Sequence, residues 1–167
     1  GGFSAADCRF DNNVSDDDGG DIYVSTATID ITLQNSTFVG SRASGTGSEG
    51  GSIYSSNDGS HTFRGCTFRD TATSGTSTDY GGAIYNANAA VQTNTFMDCH
   101  FSNGRLLNST AAGGAISVAG GAFIMSDCTF TNVFCVQAAG DGGAIDIRGG
   151  VTETDPVVIS NCIFNMT

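Results

Sequence analysis

Gly81-Gly82-Ala83-Ile84 decides the fold, because it is one of five copies. The others are Gly19-Gly20-Asp21-Ile22, Gly50-Gly51-Ser52-Ile53, Gly113-Gly114-Ala115-Ile116 and Gly142-Gly143-Ala144-Ile145. Their first glycines are 31, 31, 32 and 29 residues apart. A period of this size marks a repeat architecture and outranks any local reading.

A second motif runs in phase. It reads Asp7-Cys8-Arg9-Phe10, Gly65-Cys66-Thr67-Phe68, Asp98-Cys99-His100-Phe101, Asp127-Cys128-Thr129-Phe130 and Asn161-Cys162-Ile163-Phe164, with Asn35-Ser36-Thr37-Phe38 in the remaining slot. Three residues before each Cys or Ser stands a further column, Ala5, Leu33, Phe63, Phe96, Met125 and Ile159. The runs that follow each glycine pair, such as Ile22-Tyr23-Val24 and Ile84-Tyr85-Asn86, are short and β-prone. No stretch keeps a 3.6-residue period. In each Cys-x-Phe the Cys and Phe point one way and the middle residue the other.

About 30 residues per repeat accommodate three strands of about five residues, three corners and one longer loop. Repeats stacked in register place like side chains above like, about 4.8 Å apart. The expected fold is therefore all-β, a right-handed parallel β-helix of about 5.5 coils and roughly 25 Å in length. The glycine pair is expected to turn a corner with positive φ and to let backbones approach closely. Residues 1–167 are expected to form a single domain, an excerpt of a longer array whose open strand edges are continued or stacked.

The bulk numbers set limits. Hydrophobic content is 39%, with 24 Gly and one Pro, which would suit a disordered chain if the apolar columns were not in phase. Net charge is −11, with no Lys, which disfavours nucleic acid and anionic lipid as partners. No apolar run is long enough for a membrane helix.

The Gly-Gly-Ala-Ile and Asn-Cys-x-Phe segments resemble the repeats of chlamydial polymorphic outer membrane proteins and of related surface proteins of algae and other protists. The second motif of that family, Phe-x-x-Asn, occurs as Phe10-Asp11-Asn12-Asn13, whereas later repeats carry the polar residue one place sooner, at Asp70, Asn103 and Asn132. The resemblance implies a right-handed β-helix displayed at the cell surface or outside the cell, in adhesion or as surface structure, with no catalytic residues to carry over.

The candidate chemistry is sparse. The Cys column reads as a buried thiol ladder, since stacked side chains run parallel and a line of thiols cannot wrap a tetrahedral ion. Cys135 lies off that column, either packed under an apolar loop or paired elsewhere. The Phe column reads as core, and the row Arg9, Thr37, Thr67, His100, Thr129 and Ile163 faces outward, too interrupted for an ice-binding Thr ladder. His100 and Cys99 point to opposite faces and cannot form a catalytic pair. His61 has no obvious partner. No enzyme activity and no cofactor are expected, apart from a candidate Ca²⁺ site at Asp16, Asp18, Asp21 and Glu49, where Asp18 and Glu49 should be neighbours. Sequons at Asn13, Asn35, Asn108 and Asn165 are candidate glycosylation sites. The expected function is a non-catalytic structural or adhesive module, extracellular or at the cell surface, partnered by its own copies, by other surface proteins or by glycans. The alternative is a carbohydrate-active β-helix, for which Asp or Arg from neighbouring coils would line the groove, or a glycan-binding one, for which an exposed Tyr23, Tyr54 and Tyr85 stack would be the platform.

Overall fold

The computed structural model describes residues 1–25, 28–75, 77–87, 92–107, 110–135, 141–148 and 155–165, with the side chains of Thr78, Thr110 and Ala111 excepted. Every strand pairing is parallel and joins a strand to its counterpart one coil away. The first sheet contains Gly2–Ala6, Asp30–Gln34, His61–Arg64, Thr93–Met97, Ala122–Ser126 and Val157–Ser160. The second contains the Cys-x-Phe strands, from Arg9–Asp11 and Thr37–Val39 to Ile163–Asn165. The third holds two-residue strands such as Arg42–Ala43, Ala72–Thr73 and Arg105–Leu106. The fourth holds the runs after the glycine pairs, Ile22–Val24, Ile53–Ser55, Ile84–Asn86, Ile116–Val118 and Ile145–Ile147. A short extra pair joins Thr78–Tyr80 to Thr110–Ala112. This is a parallel β-helix in the expected register.

A typical coil has four short strands rather than the three of about five residues that strand length alone suggested. Left-handed residues cut it at three corners. One precedes the Cys column: Asp7, Asn35, Gly65, Asp98, Asp127 and Asn161 all have φ between 46° and 62°. The next lies two places after each Phe, at Asn12, Gly40, Asp70, Asn103 and Asn132, with φ between 52° and 67°. Asn12 is thus in register with Asp70, and the polar residue does not shift between repeats. Only Gly, Asn and Asp adopt this conformation at low cost, which explains the composition of both columns. The third corner is the first glycine of each tetrad, with φ of 57° to 72°.

The second glycine does a different job. A Cβ on Gly51 would lie 2.2 Å from the Gly82 carbonyl oxygen and 2.6 Å from that of Ala72. Gly82 and Gly114 meet the next coil in the same way. One glycine supplies the turn and the other the close approach.

Inside, side chains stack coil on coil. The rings of Phe10, Phe38, Phe68, Phe101, Phe130 and Phe164 are parallel within 6°, with successive centroids 4.6 to 5.0 Å apart. Phe63 and Phe96 stack at 4.8 Å and meet the first row edge-on at 6.3 Å. Strand spacing enforces this parallel stacking, and the edge contacts between the two rows supply the more favourable aromatic geometry. The isoleucines of the tetrads close the core, with Ile53 and Ile116 no more than 1% exposed.

Candidate functional site

Because the coil places residues of equal phase side by side, each outward face is a column that can be read for chemistry. Just before the glycine pairs, Asp18 and Glu49 are neighbours, and Asp18 Oδ1 accepts the Glu49 backbone N–H at 2.9 Å. The Glu49 carboxyl is pushed up to about 7 by burial, then by Asp18 and Asp79, with Arg148 opposing. Burial raises Asp79 to about 6, although its Oδ2 accepts the Gly75 N–H at 2.9 Å. Asp16 is exposed. Asp21 is engaged across the corner, where its Oδ1 accepts from Asn13 Nδ2 at 2.7 Å, and burial raises its pKa. The four acids named as a Ca²⁺ candidate are thus not gathered at one point. Among the described residues no group of three or more His, Cys, Asp or Glu side chains is arranged to hold a metal ion.

The adjoining column carries the tyrosines. Tyr23 and Tyr54 stack at 5.1 Å with rings 7° apart, and Tyr85 tilts away by 54°. Tyr23 is 54% exposed, but Tyr85 is only 8% exposed, packed against Tyr80 at 4.9 Å. Arg148 lies 4.1 Å above the Tyr80 ring and pairs with Asp146 at 2.6 Å. The exposed aromatic platform expected from the sequence is therefore reduced to its first member.

On another face, Arg42, Ala72 and Arg105 are register partners in the third sheet. The small Ala72 leaves a recess of about 260 Å³ between the arginines, lined also by Asp70, Thr71, Asn103 and Leu107. Asn103 Nδ2 donates to Asp70 Oδ1 at 2.8 Å, and Arg105 lies 5.5 Å over the Phe134 ring. Among the described residues the ion pairs are made by Arg9, Arg69 and Arg148, not by the two arginines of the recess. This recess can take a group that combines acid and hydroxyl functions.

The cysteines are all free thiols. Each column thiol donates to the carbonyl two residues back, as in Cys66 to Arg64 at 3.5 Å, Cys99 to Met97 at 3.3 Å and Cys128 to Ser126 at 3.2 Å. Ser36 donates to the Gln34 carbonyl at 2.8 Å in the same way, which explains why Ser substitutes for Cys there. The neighbouring Cys128 and Cys66 thiols, and then burial, raise the pKa of Cys99. Cys135 is half-buried in the strand Phe134–Cys135, its thiol 3.7 Å from the Gly142 carbonyl oxygen, and burial raises it to about 11. Of the sequons, Asn13, Asn35 and Asn165 are exposed, and Asn108 lies outside the described residues. His100 faces outward and Cys99 inward, as the alternation requires.

The sequence reading missed a buried polar cluster. His61 is 2% exposed. Its Nε2 is 3.1 Å from Ser55 Oγ, and its Nδ1 is 2.9 Å from Asn86 Nδ2 and 3.2 Å from Asn94 Oδ1. Asn57 Nδ2 donates to Ser55 Oγ at 2.8 Å, and Asn86 Nδ2 also donates to Asn94 Oδ1 at 2.7 Å. Burial lowers the His61 pKa, so the ring is neutral at neutral pH. The signal was present in the columns, since His61 and Asn94 stand in register between Ile31 and Phe123.

Uniform parallel coils around a filled interior define a parallel β-solenoid, a class set by architecture and not by one reaction. The family model described as a right-handed beta helix region matches residues 3–163, so the chain belongs to that family and its coil is right-handed. No match to the chain was found among curated proteins or among solved structures.

Proposed function

We propose that the chain is a non-catalytic structural or adhesive repeat module, displayed outside the cell or on its surface, of the kind found in polymorphic outer membrane proteins. One observation carries this reading: the Phe, thiol and Ile columns inside are nearly constant and the outward row beside them is not. Phe, thiol and Ile columns repeat coil after coil, while the outward row in register with them runs Arg9, Thr37, Thr67, His100, Thr129, Ile163. A scaffold that keeps its core constant and varies each exposed step suits recognition along a rod. The net charge of −11 favours protein or cation partners over nucleic acid. Electron microscopy of the full-length native protein on its own cells tests this. Surface-attached rods, joined end to end or laterally, are the expected result. A freely diffusing protein inside the cell would overturn the proposal.

A second reading, glycan binding, is favoured by the recess between Arg42 and Arg105. Guanidinium groups recognise carboxylate or sulfate, and Asp70 with Asn103 offers partners for hydroxyls. Binding of an acidic oligosaccharide that is lost in Arg42→Ala and Arg105→Ala would favour this reading. Equal binding by the variants would remove it.

A further inference from the structure

We propose that the thiol column is a site for soft, two-coordinate metal ions, each held in line between the sulfurs of successive coils. Cys66, Cys99, Cys128 and Cys162 occupy one register position in four consecutive coils, each preceding a paired strand of the second sheet. Their side chains turn the same way, since each sulfur lies 3.2 to 3.5 Å from the carbonyl oxygen two residues back, and Cys99 Sγ also lies 3.5 Å from the Phe63 carbonyl oxygen. The sulfurs are therefore related by the coil translation, about 4.8 Å. A metal–thiolate bond is about 2.3 Å, so two bonds in line span about 4.6 Å. The spacing that denies a tetrahedral ion its four converging ligands thus matches a linear one.

The surroundings fit such an ion. Cys66, Cys99 and Cys128 are at most 2% exposed and belong to the same apolar cluster as Phe63, Phe68 and Phe96. An ion held there must shed its water, and thiolate is the ligand that soft ions prefer over water. Each ion displaces one proton from each of two thiols into the buffer, and no electron moves. A divalent ion then forms a neutral bis-thiolate, which carries no charge into the core, whereas a monovalent ion leaves one negative charge there. Cys8 is the internal control. Ser36 separates it from Cys66, and the Cys8 N–H faces Ser36 Oγ at 3.2 Å.

The test uses the whole chain with Cys135→Ser, to remove the thiol outside the column. Hg²⁺, Ag⁺ and Zn²⁺ are each supplied both to the folded protein and during refolding, and bound metal is counted by native mass spectrometry. The ladder pairs as Cys66 with Cys99 and Cys128 with Cys162, so two Hg²⁺ per chain are expected, with Ag⁺ weaker and Zn²⁺ not retained. Cys99→Ser, which keeps a hydroxyl donor as Ser36 does, should hold one. Ser36→Cys joins Cys8 to the column and should hold three. X-ray absorption should show two sulfur neighbours per ion. Equal metal content in all three proteins, three or more sulfurs per ion, or no retention by either route would overturn the proposal.

Discussion

Two parts of the same interior follow opposite rules. Along the second sheet the column from Phe10 to Phe164 never changes, and Phe38 and Phe68 are at most 1% exposed. Across the bore, two columns switch from apolar to polar and back. One runs Ile31, His61, Asn94, Phe123, and the other Val24, Ser55, Asn86, Val118. They switch in the same two coils, so the polar side chains find partners in one another, all but Asn94 Nδ2, which is buried without one among the described residues. A solenoid column tolerates polarity when its neighbour changes with it, because a buried polar group is costly only if it is unpaired.

The largest effect expected is in the invariant column. Phe68→Ala should cost about 3–5 kcal/mol, measured by denaturant unfolding, because its ring is held between two others and cannot be replaced by collapse. In the polar cluster, His61→Leu alone should cost about 1–3 kcal/mol by leaving Asn86 and Asn94 without the ring. Changing Ser55, His61, Asn86 and Asn94 together to Val, Ile, Val and Phe, which continues the neighbouring coils, should recover most of that loss. If the fourfold variant is no more stable than His61→Leu, mutual satisfaction is not the reason the cluster persists.

The same contrast sets the pH dependence. His61 is held below its ordinary value of about 6.5, so under acid the unfolded chain binds the proton first. Stability should fall as pH drops from about 6.5 through the lowered folded value, and this slope should vanish in His61→Leu. Glu49 acts in the opposite sense. Folded, it keeps its proton up to about 7, while unfolded it releases it at about 4.5, so its contribution is lost as pH rises between these values. Glu49→Gln should flatten that limb in thermal melts taken from pH 4 to pH 8. The smallest effect belongs to the thiols. Cys66→Ser should cost under about 1 kcal/mol, since a hydroxyl serves the same carbonyl at Ser36. A larger loss would show that sulfur packing outweighs the donated hydrogen bond.

The parts legible in sequence were those where one residue type answers one constraint. Stacking demands like over like, so the Ile and Phe columns located the fourth and second sheets, and the glycine pairs gave both the turn and the close approach. The left-handed corners were legible in principle, since Asp7, Asn35, Gly65 and Asp98 share only the ability to take positive φ. The placement of Asp18 beside Glu49 followed from phase, whereas the engagement of Asp21 with Asn13 depended on which way its side chain leaves the corner. His61 stayed opaque because its partners come from two coils, and a search within one stretch of chain cannot pair residue 61 with residues 86 and 94.

The central claim is in-register stacking of one coil on the next, and contacts between phenylalanine rings report it most directly. In a sample labelled selectively at phenylalanine, nuclear Overhauser effects should connect Phe38 to Phe68, Phe68 to Phe101 and Phe101 to Phe130, at centroid separations of 4.6, 5.0 and 4.8 Å. None should connect Phe38 to Phe101, two coils apart. Contacts confined to residues close in sequence, or contacts that skip a coil, would contradict the account.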